Sequence, residues 1–264
     1  MRRRRRNNSA IIFLIALGFI IWMINHIIRL ILENMWLVYS LLGVGVLVLF
    51  VMIGLRLYRV NQYKQTPYYS MTQTPWTNLN HPGVRFESEI YDRLVEYYPQ
   101  AKYFVNALIP RSNAVNEYFE IDIIMISLKG IFILELKDWQ GFIYGNLESE
   151  KWTVGRSRED QRHAASVYSP YLQNQKHIED LNKIHPHPYI GHVIFSQRAN
   201  IGDGVEGISH FDGFIERHER LEVSLDAHEI QHHAAAISEK LDSSKLPDHV
   251  ERIKYNEEKY RKYR

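Results

Sequence analysis

The stretch that decides the fold is residues 118–139, YFEIDIIMISLKGIFILELKDW. Two apolar runs rich in Ile and Phe are separated by a Lys-Gly pair at positions 129–130, which predicts two antiparallel strands joined by a tight turn. Side chains alternate between the two faces of a strand, so Glu135 and Lys137 share one face. Because the start of one hairpin strand lies beside the end of the other, we expect Asp122 to lie close to that pair.

These three charged side chains have two explanations. Charged groups inside an apolar strand are costly unless they are paired or bind a metal. The simpler explanation is a salt bridge at one end of the sheet. The alternative is a divalent-metal site, in which Asp122 and Glu135 supply the hard oxygen ligands that Mg²⁺ prefers. Lys137 would then assist the attacking water or stabilise the developing negative charge.

The spacing D-x12-E-x-K resembles the core of the PD-(D/E)xK nucleases, and the whole stretch resembles their NERD (nuclease-related) branch. The residues that carry the resemblance are Glu120-Ile121-Asp122, Gly130, Glu135, Lys137, Trp139 and Gly141. The resemblance implies an α/β fold with a restriction-endonuclease-like core, in which helices flank a mixed central sheet. It also implies a nuclease that hydrolyses the phosphodiester bonds of DNA or RNA. Its cofactor would be Mg²⁺ or Mn²⁺, held by Asp122, Glu135 and the backbone carbonyl of Leu136.

A helix is predicted from Val84, where apolar residues recur at helical spacing. The NERD family opens with a Gly-Glu pair followed by apolar residues at fixed offsets. Glu87 matches that glutamate, although Phe86 replaces the glycine and leaves Glu89 as the alternative. The resemblance implies that Glu87 faces the metal cluster from this helix. Without the resemblance, Glu87 would be an ordinary solvated helix carboxylate.

A second helix is predicted after Ser169, with this residue as N-cap and Pro170 in the first turn. Its residues match the family pattern Asn-Pro-x-x-Gln-x-x-x-His, with Ser169 in place of the asparagine. The resemblance places Gln173 near the site, where its amide would orient a water or a phosphate oxygen. For His177, a structural hydrogen-bonding role is favoured over metal ligation.

The remaining pattern predicts strands around 101–109, 142–144, 152–154, 189–195 and 213–216. Residues 156–168 are polar and predict a helix or a long loop. The resemblance covers residues 83–196, the predicted nuclease-like core. Residues 197–264 form a C-terminal extension with a helix and a basic tail. The tail, 248–264, interleaves basic residues with tyrosines and has two interpretations, a solvated helix end or an arm that stacks on nucleic-acid bases.

Two apolar segments precede the core and predict a transmembrane hairpin at residues 10–55. The segment 35–55 is uncharged and long enough to span a bilayer, whereas 10–24 is slightly short before its polar break. A cleaved signal peptide is the alternative for the first segment. Residues 56–82 are polar, contain three prolines and predict a linker.

Basic residues predict the orientation of the hairpin. The N-terminal segment 1–9 contains five consecutive arginines, and Arg56, Arg59 and Lys64 follow the second span. Both termini and the nuclease-like domain are therefore expected on the cytoplasmic side, with nucleic acid and the lipid bilayer as partners. The arginine run could also form a nucleic-acid-binding arm.

The composition of the 264 residues limits other interpretations. A formal net charge of +2 gives no overall polybasic character. The chain has no cysteine, which excludes disulfides and thiolate metal sites and is consistent with a reducing compartment.

A competing motif, His228-Glu229-x-x-His232, satisfies the HExxH signature of zinc metalloproteases. The same segment is explained by helix capping, with Asp226 as N-cap and Glu229 three residues later. We therefore retain a membrane zinc protease as a minor alternative. A second alternative is a non-catalytic nucleic-acid-binding or scaffold module at the membrane, whose acidic cluster is structural.

Overall fold

A computed structural model describes residues 5–110, 118–155, 164–202 and 205–241 of the chain. The chain divides into two compact units, Met1–Asn61 and Gln62–Arg264. The arginines at positions 2–4, the segment 156–163 and the basic tail at 248–264, for which predictions were made above, lie outside the described residues.

The N-terminal part of the chain consists of two long helices, α1 (Arg5–Glu33) and α2 (Met35–Tyr63). Asn34 stands between them and its side-chain amide donates to the carbonyl of Leu30 at 2.8 Å. Both helices are long and apolar enough to cross a membrane, and their large apolar side chains are exposed. This confirms the predicted pair of apolar helices.

The second unit is an α/β domain. Its elements, in chain order, are α3 (Pro67–Thr72), a 3₁₀ turn (Trp76–Asn80), α4 (Pro82–Tyr97), β1 (Lys102–Pro110), β2 (Tyr118–Ser127), β3 (Gly130–Lys137), β4 (Gly141–Tyr144), β5 (Lys151–Gly155), β6 (Ala165–Tyr168), α5 (Pro170–Asn182), β7 (Tyr189–Phe195), β8 (Ala199–Asn200), β9 (Ile208–His210), α6 (Phe211–Arg220) and α7 (Ala227–Ser238).

The described strands form two sheets. The larger has the order β1-β2-β3-β7-β9, with antiparallel pairing from β1 to β3 and parallel pairing from β3 to β9. The smaller has the order β6-β5-β4-β8. A mixed central sheet flanked by helices confirms the predicted fold class.

The predicted hairpin is confirmed as β2 and β3. Its turn consists of Leu128 and Lys129, because Ser127 already pairs with Gly130. The turn therefore begins one residue earlier than the Lys-Gly pair suggested. Gly130 has a φ of +132°, a conformation that residues with a Cβ rarely adopt.

Helices cover both faces of the larger sheet. On one face, Phe132 and Leu134 of β3 pack with residues of α4 and α6, including Ile90 and Phe214. On the other, the intervening β3 residues Ile131 and Ile133 pack with residues of α5 and α7, including Leu181, Ile230 and Ile237. The strand is almost wholly buried, which explains why it is nearly continuous in apolar residues.

Three segments differ from the prediction. Residues 213–216, predicted as a strand, lie within helix α6, whose apolar residues Phe211 and Phe214 are spaced three apart and buried on one face. Residues 165–168, predicted as part of a helix or long loop, form strand β6 and pair with β5. The predicted linker 56–82 contains ordered helices, because aromatic side chains such as Tyr63 and Tyr68 are buried in the core.

The C-terminal extension is part of the same fold. Strand β9 pairs with β7 through Val193 and Ile208, and α6 and α7 cover opposite faces of the sheet. Helix α7 was predicted from its capping residues, and both reciprocal hydrogen bonds between Asp226 and Glu229 are present, at 2.7 and 2.8 Å.

His192 of β7 is neutral at physiological pH. Burial, reinforced by the charge of Arg217, lowers the pKa of His192 from 6.5 to about 3. Its ring nitrogens lie 2.7 Å from Ser209 Oγ and 3.2 Å from an Arg217 guanidinium nitrogen. Folded His192 therefore takes up a proton only in strong acid, whereas the same residue in the unfolded chain is protonated near pH 6.5.

We expect acidification from pH 7 to pH 5 to destabilise the domain. The unfolded state binds a proton below about pH 6.5 whereas folded His192 does not, so this residue alone costs about 2 kcal/mol by pH 5. The measurement is the free energy of unfolding at both pH values for the wild type and His192→Gln. A variant that loses as much stability as the wild type would contradict this assignment.

Candidate functional site

The central feature of the site is a fork between β2 and β3. Direct pairing between these strands ends at Ile123 and Leu134, although β2 begins at Tyr118 and β3 continues to Lys137. Beyond this point β2 is paired with β1, and β3 with β7. The Asp122 carboxylate lies in the fork, where its Oδ2 accepts a hydrogen bond from the Leu136 N–H at 2.7 Å. The Asp122 side chain thus accepts the hydrogen bond that a backbone carbonyl of β2 would accept if the β2-β3 ladder continued.

Glu135 and Lys137 form an ion pair at the same end of β3. Lys137 Nζ lies 2.5 Å from Glu135 Oε1, and the two side chains are 19% and 2% exposed respectively. The other oxygen of Glu135 lies 3.6 Å from Nε2 of His177 on helix α5. The predicted salt bridge and the predicted convergence of these residues with Asp122 are therefore both present.

Glu87 reaches the same cluster from helix α4. It is 7% exposed, and its charge acts on both Asp122 and Lys137. Glu89, the alternative register, is exposed and lines a surface cleft instead. The helix thus presents Glu87, not Glu89, to the fork.

The cluster carries more negative than positive charge. Burial raises the pKa of Asp122 well above its ordinary range, and the neighbouring charges of Glu135 and Glu87 raise it further. Lys137 and the Leu136 N–H act in the opposite direction. For Lys137, burial lowers the pKa, but the surrounding carboxylates outweigh this and raise it overall. The lysine therefore stays charged while Asp122 resists ionisation.

The charge of the cluster, rather than a formed set of ligands, suits a hard divalent cation. Three carboxylates face one ammonium, so a surplus of two negative charges lies in a buried site when all are ionised. Carboxylate oxygens are the ligands of Mg²⁺, and a divalent charge would offset the repulsion that raises the Asp122 pKa. Among the described residues, no three His, Asp or Glu side chains already converge as a metal-binding group.

Helix α5 contributes the other side of the cluster. Its N-cap Ser169 accepts from the Leu172 N–H, as the sequence predicted. Asn174 is buried and donates to the backbone carbonyls of Ile133 and His192, which fixes the helix to β3 and β7. Gln173, one residue earlier, is half-buried, and its role in orienting water or phosphate stays a prediction.

His177 of helix α5 lies beside the cluster. Its ring is buried, stacks at 5.9 Å on Phe119 of β2 and approaches Glu135. The four-residue spacing between Gln173 and His177 indicates that they share one face of the helix. Only the fold shows that His177 faces Glu135.

The HExxH segment lies elsewhere and is used differently. Glu229, the general base of a metalloprotease, is engaged in the capping box of α7, and both His228 and His232 are exposed. The next residue, His233, is the one that turns inward, with its Nδ1 3.2 Å from His185 Nε2. The motif is therefore explained by helix capping.

Comparison with known proteins relates part of the chain to a known domain family. Residues 82–196 match the family model of the nuclease-related domain, NERD. This segment is a NERD domain. An uncharacterized protein of Bacillus anthracis is 38% identical over 60 residues, which is 23% of this chain and 26% of that protein. The chain thus aligns with about a quarter of this curated relative. No solved structure matches the chain significantly.

We expect Asp122→Asn to stabilise the metal-free domain at neutral pH, because it removes a carboxylate that the cluster repels. The gain should shrink as the pH falls, since wild-type Asp122, with its raised pKa, then takes up a proton and loses the same repulsion. The measurement is the Tm of the wild type and of Asp122→Asn in EDTA, from neutral to acidic pH. A variant that is less stable than the wild type at neutral pH would show that attraction to Lys137 dominates the cluster.

Proposed function

We propose that this chain is a membrane-tethered, metal-dependent nuclease that hydrolyses phosphodiester bonds of DNA or RNA on the cytoplasmic side. The observation that carries the proposal is the junction of Asp122, Glu135 and Lys137 at the fork of β2 and β3, inside a NERD domain. A salt bridge alone would account for Glu135 and Lys137, but not for a third and a fourth charged group in the same buried cluster.

The acidic residues are assigned to cation binding. Asp122 and Glu135, with the backbone carbonyl of Leu136, would hold Mg²⁺ or Mn²⁺, which would supply Lewis-acid activation of the scissile phosphate. Asp122 suits this role because the Leu136 N–H binds Oδ2, which fixes the carboxylate and leaves Oδ1 as a potential ligand. Glu87 completes the cluster from α4.

Lys137 is assigned to the reacting phosphate. Its pKa is raised by the carboxylates, so it remains an ammonium at neutral pH. A fixed positive charge in a site shielded from water stabilises the negative charge that develops as the phosphodiester is attacked. Gln173 would orient the water or a phosphate oxygen, since an amide both donates and accepts hydrogen bonds.

An open cleft beside the site provides a path for the substrate backbone. It has a volume of about 250 Å³ and is lined by Arg85, Arg93 and Arg198. Asp138, the residue after Lys137, also lines it and pairs with Arg198 at 2.5 Å. Guanidinium groups are well suited to bind phosphates, so this cleft favours a phosphodiester ligand.

The apolar helices α1 and α2 are assigned to membrane tethering. The basic residues that flank them at both ends support a hairpin whose termini face the cytoplasm. The nuclease would then act at the membrane surface.

We expect the full-length protein to cleave nucleic acid with Mg²⁺ or Mn²⁺, and expect Asp122→Ala, Lys137→Ala and Glu87→Ala each to lower the rate by about 100-fold or more. The measurement is cleavage of plasmid DNA and of single-stranded RNA, with EDTA as the metal-free reference.

Glu96→Ala is the matched control for Glu87→Ala, because both residues lie on α4 but Glu96 is exposed and lines neither the cluster nor the cleft. This control should retain wild-type activity. Equal cleavage by the wild type and all variants would indicate a contaminating nuclease and overturn the assignment. Binding of nucleic acid without cleavage under either metal would favour a binding module.

We expect the turn between α1 and α2 to lie outside the cytoplasm. The chain has no cysteine, so single-cysteine variants can be labelled without background. A membrane-impermeant maleimide should label Asn34→Cys in intact cells. It should label Val223→Cys, which is 65% exposed, only after lysis. The reverse pattern would invert the proposed orientation, and labelling of both variants in intact cells would contradict a hairpin.

A further inference from the structure

A group of histidines connects the loop between α5 and β7 with helix α7. It consists of His185 and His187 in the loop and His233 on the helix. All three side chains are half-buried. The group includes neither histidine of the HExxH motif, and it shares no residue with the acidic cluster.

The sequence of the loop explains why its two histidines face the same way. His185 and His187 each precede a proline, which favours an extended backbone, and residues two apart in an extended segment lie on the same side. The Asn182 carboxamide holds the loop by accepting a hydrogen bond from the His187 N–H at 3.0 Å.

His233 faces the loop because of its position on α7. It lies three residues after Ile230 and four before Ile237, which are both buried, so it shares their face of the helix. Its ring centroid is 4.4 Å from that of His187 and 5.2 Å from that of His185. Three imidazoles from two separate segments therefore lie side by side.

Tyr189 defines the tautomer of His185. The Tyr189 hydroxyl donates to the backbone carbonyl of His185 at 2.7 Å, so it accepts the hydrogen bond from the His185 ring, whose Nδ1 lies 2.6 Å away. Nδ1 of the neutral ring therefore carries the hydrogen, and Nε2 presents a lone pair. That lone pair is directed at His233, whose Nδ1 lies 3.2 Å from His185 Nε2.

This nitrogen–nitrogen separation suits two ligands of one metal ion as well as it suits a hydrogen bond. Zn²⁺–nitrogen bonds of about 2.0 Å place two ligands about 3.3 Å apart at the tetrahedral angle. In the metal-free protein, His233 Nδ1 donates its hydrogen to His185 Nε2. When a metal ion binds between them, that hydrogen moves to Nε2 of His233, so both lone pairs face the ion and no proton is released.

His187 is the third candidate ligand. No three such side chains already converge as a metal-binding group in the part of the chain that the structure describes, so the His187 ring has to rotate to reach the ion. Rotamer changes are fast for side chains in contact with solvent. Burial and the neighbouring histidines lower the pKa of His187, which keeps the ring in the neutral form that binds metals. The charge of Glu229 acts on both His187 and His233 and favours a cation here.

We propose that His185, His187 and His233 form a binding site for a late first-row divalent cation such as Zn²⁺, which fastens helix α7 to the loop before β7. Imidazole nitrogens suit such ions, whereas Mg²⁺ prefers oxygen ligands. Three histidines and a water would complete a tetrahedron. The inference goes beyond the proposed nuclease function and does not depend on it.

The test is Zn²⁺ affinity, measured by calorimetry on the tag-free full-length protein in detergent with excess Mg²⁺, together with the Tm. The wild type should gain about 5 °C or more in Tm when free Zn²⁺ is about 100-fold above Kd. His185→Gln, His187→Gln and His233→Gln should each weaken binding at least about 10-fold, since even groups that only orient a ligand contribute this much. Each variant should also lose the gain in Tm.

Tyr189→Phe tests the site without removing a ligand. It eliminates the hydroxyl that fixes the His185 tautomer and should weaken Zn²⁺ binding about 10-fold. The Tm of each variant in EDTA shows whether its metal-free form remains folded.

His228→Gln is the matched control, because His228 lies on the same helix and belongs to the HExxH motif but is exposed. Asp122→Asn is a second control, because it alters the acidic cluster alone. Both variants should bind Zn²⁺ with wild-type affinity.

The outcomes distinguish three locations for the ion. Equal affinity of the wild type and the His185, His187 and His233 variants would mean adventitious binding and overturn the inference. Weakened binding by His228→Gln would locate the ion at the HExxH motif, and weakened binding by Asp122→Asn would locate it in the acidic cluster. Either result would contradict the proposal, as would a wild type that binds no Zn²⁺.

Discussion

The buried charge at the open end of strand β3 is the constraint on which the rest of the domain depends. Strand β3 lies in the middle of the larger sheet and is covered by helices on both faces, so a charge in its interior would have no access to water. The fork beyond Leu134 gives Asp122, Glu135 and Lys137 a place to meet at one end of the strand. A backbone N–H, an ammonium and the neighbouring helices α4 and α5 then surround the carboxylates. The apolar layers fix the position of the cluster, and the cluster in turn accounts for the end of the β2-β3 ladder.

The same arrangement means that the site opposes the stability of the fold. The pKa of Asp122 is raised because burial and two other carboxylates outweigh the single lysine and the backbone N–H. A purely structural ion pair would need one acid and one base, and extra buried acids would only add repulsion. Excess negative charge is useful where a cation is to be bound, because the repulsion released on binding adds to the affinity. The energetic balance of the cluster therefore agrees better with a ligand-binding site than with a structural salt bridge.

Much of this architecture follows from local sequence, and the exceptions have identifiable causes. The hairpin and its charged residues were predictable because alternation and a tight turn depend only on neighbouring residues. Residues 213–216 were not, since a short apolar run of this length suits a strand or a helix, and the packing of Phe214 against Phe132 decides it. The ordered segment around Tyr68 was missed because its aromatic residues are buried without helical periodicity. Asn106 of β1 has a φ of +52°. It was not singled out in AKYFVNALI, because a positive φ at an asparagine cannot be predicted from the neighbouring residues.

Two short motifs in the sequence resemble metal-binding patterns, and the structure distinguishes them. HExxH and D-x12-E-x-K are both short patterns, and each has a structural explanation in local chemistry. For HExxH, that explanation is complete: Glu229 and Asp226 satisfy each other at the start of α7, and His228 and His232 are exposed. For the acidic pattern it covers only part of the cluster, because three carboxylates surround a single ammonium, that of Lys137. A motif gains functional weight when its charges exceed what the fold needs, and only the acidic cluster meets that condition.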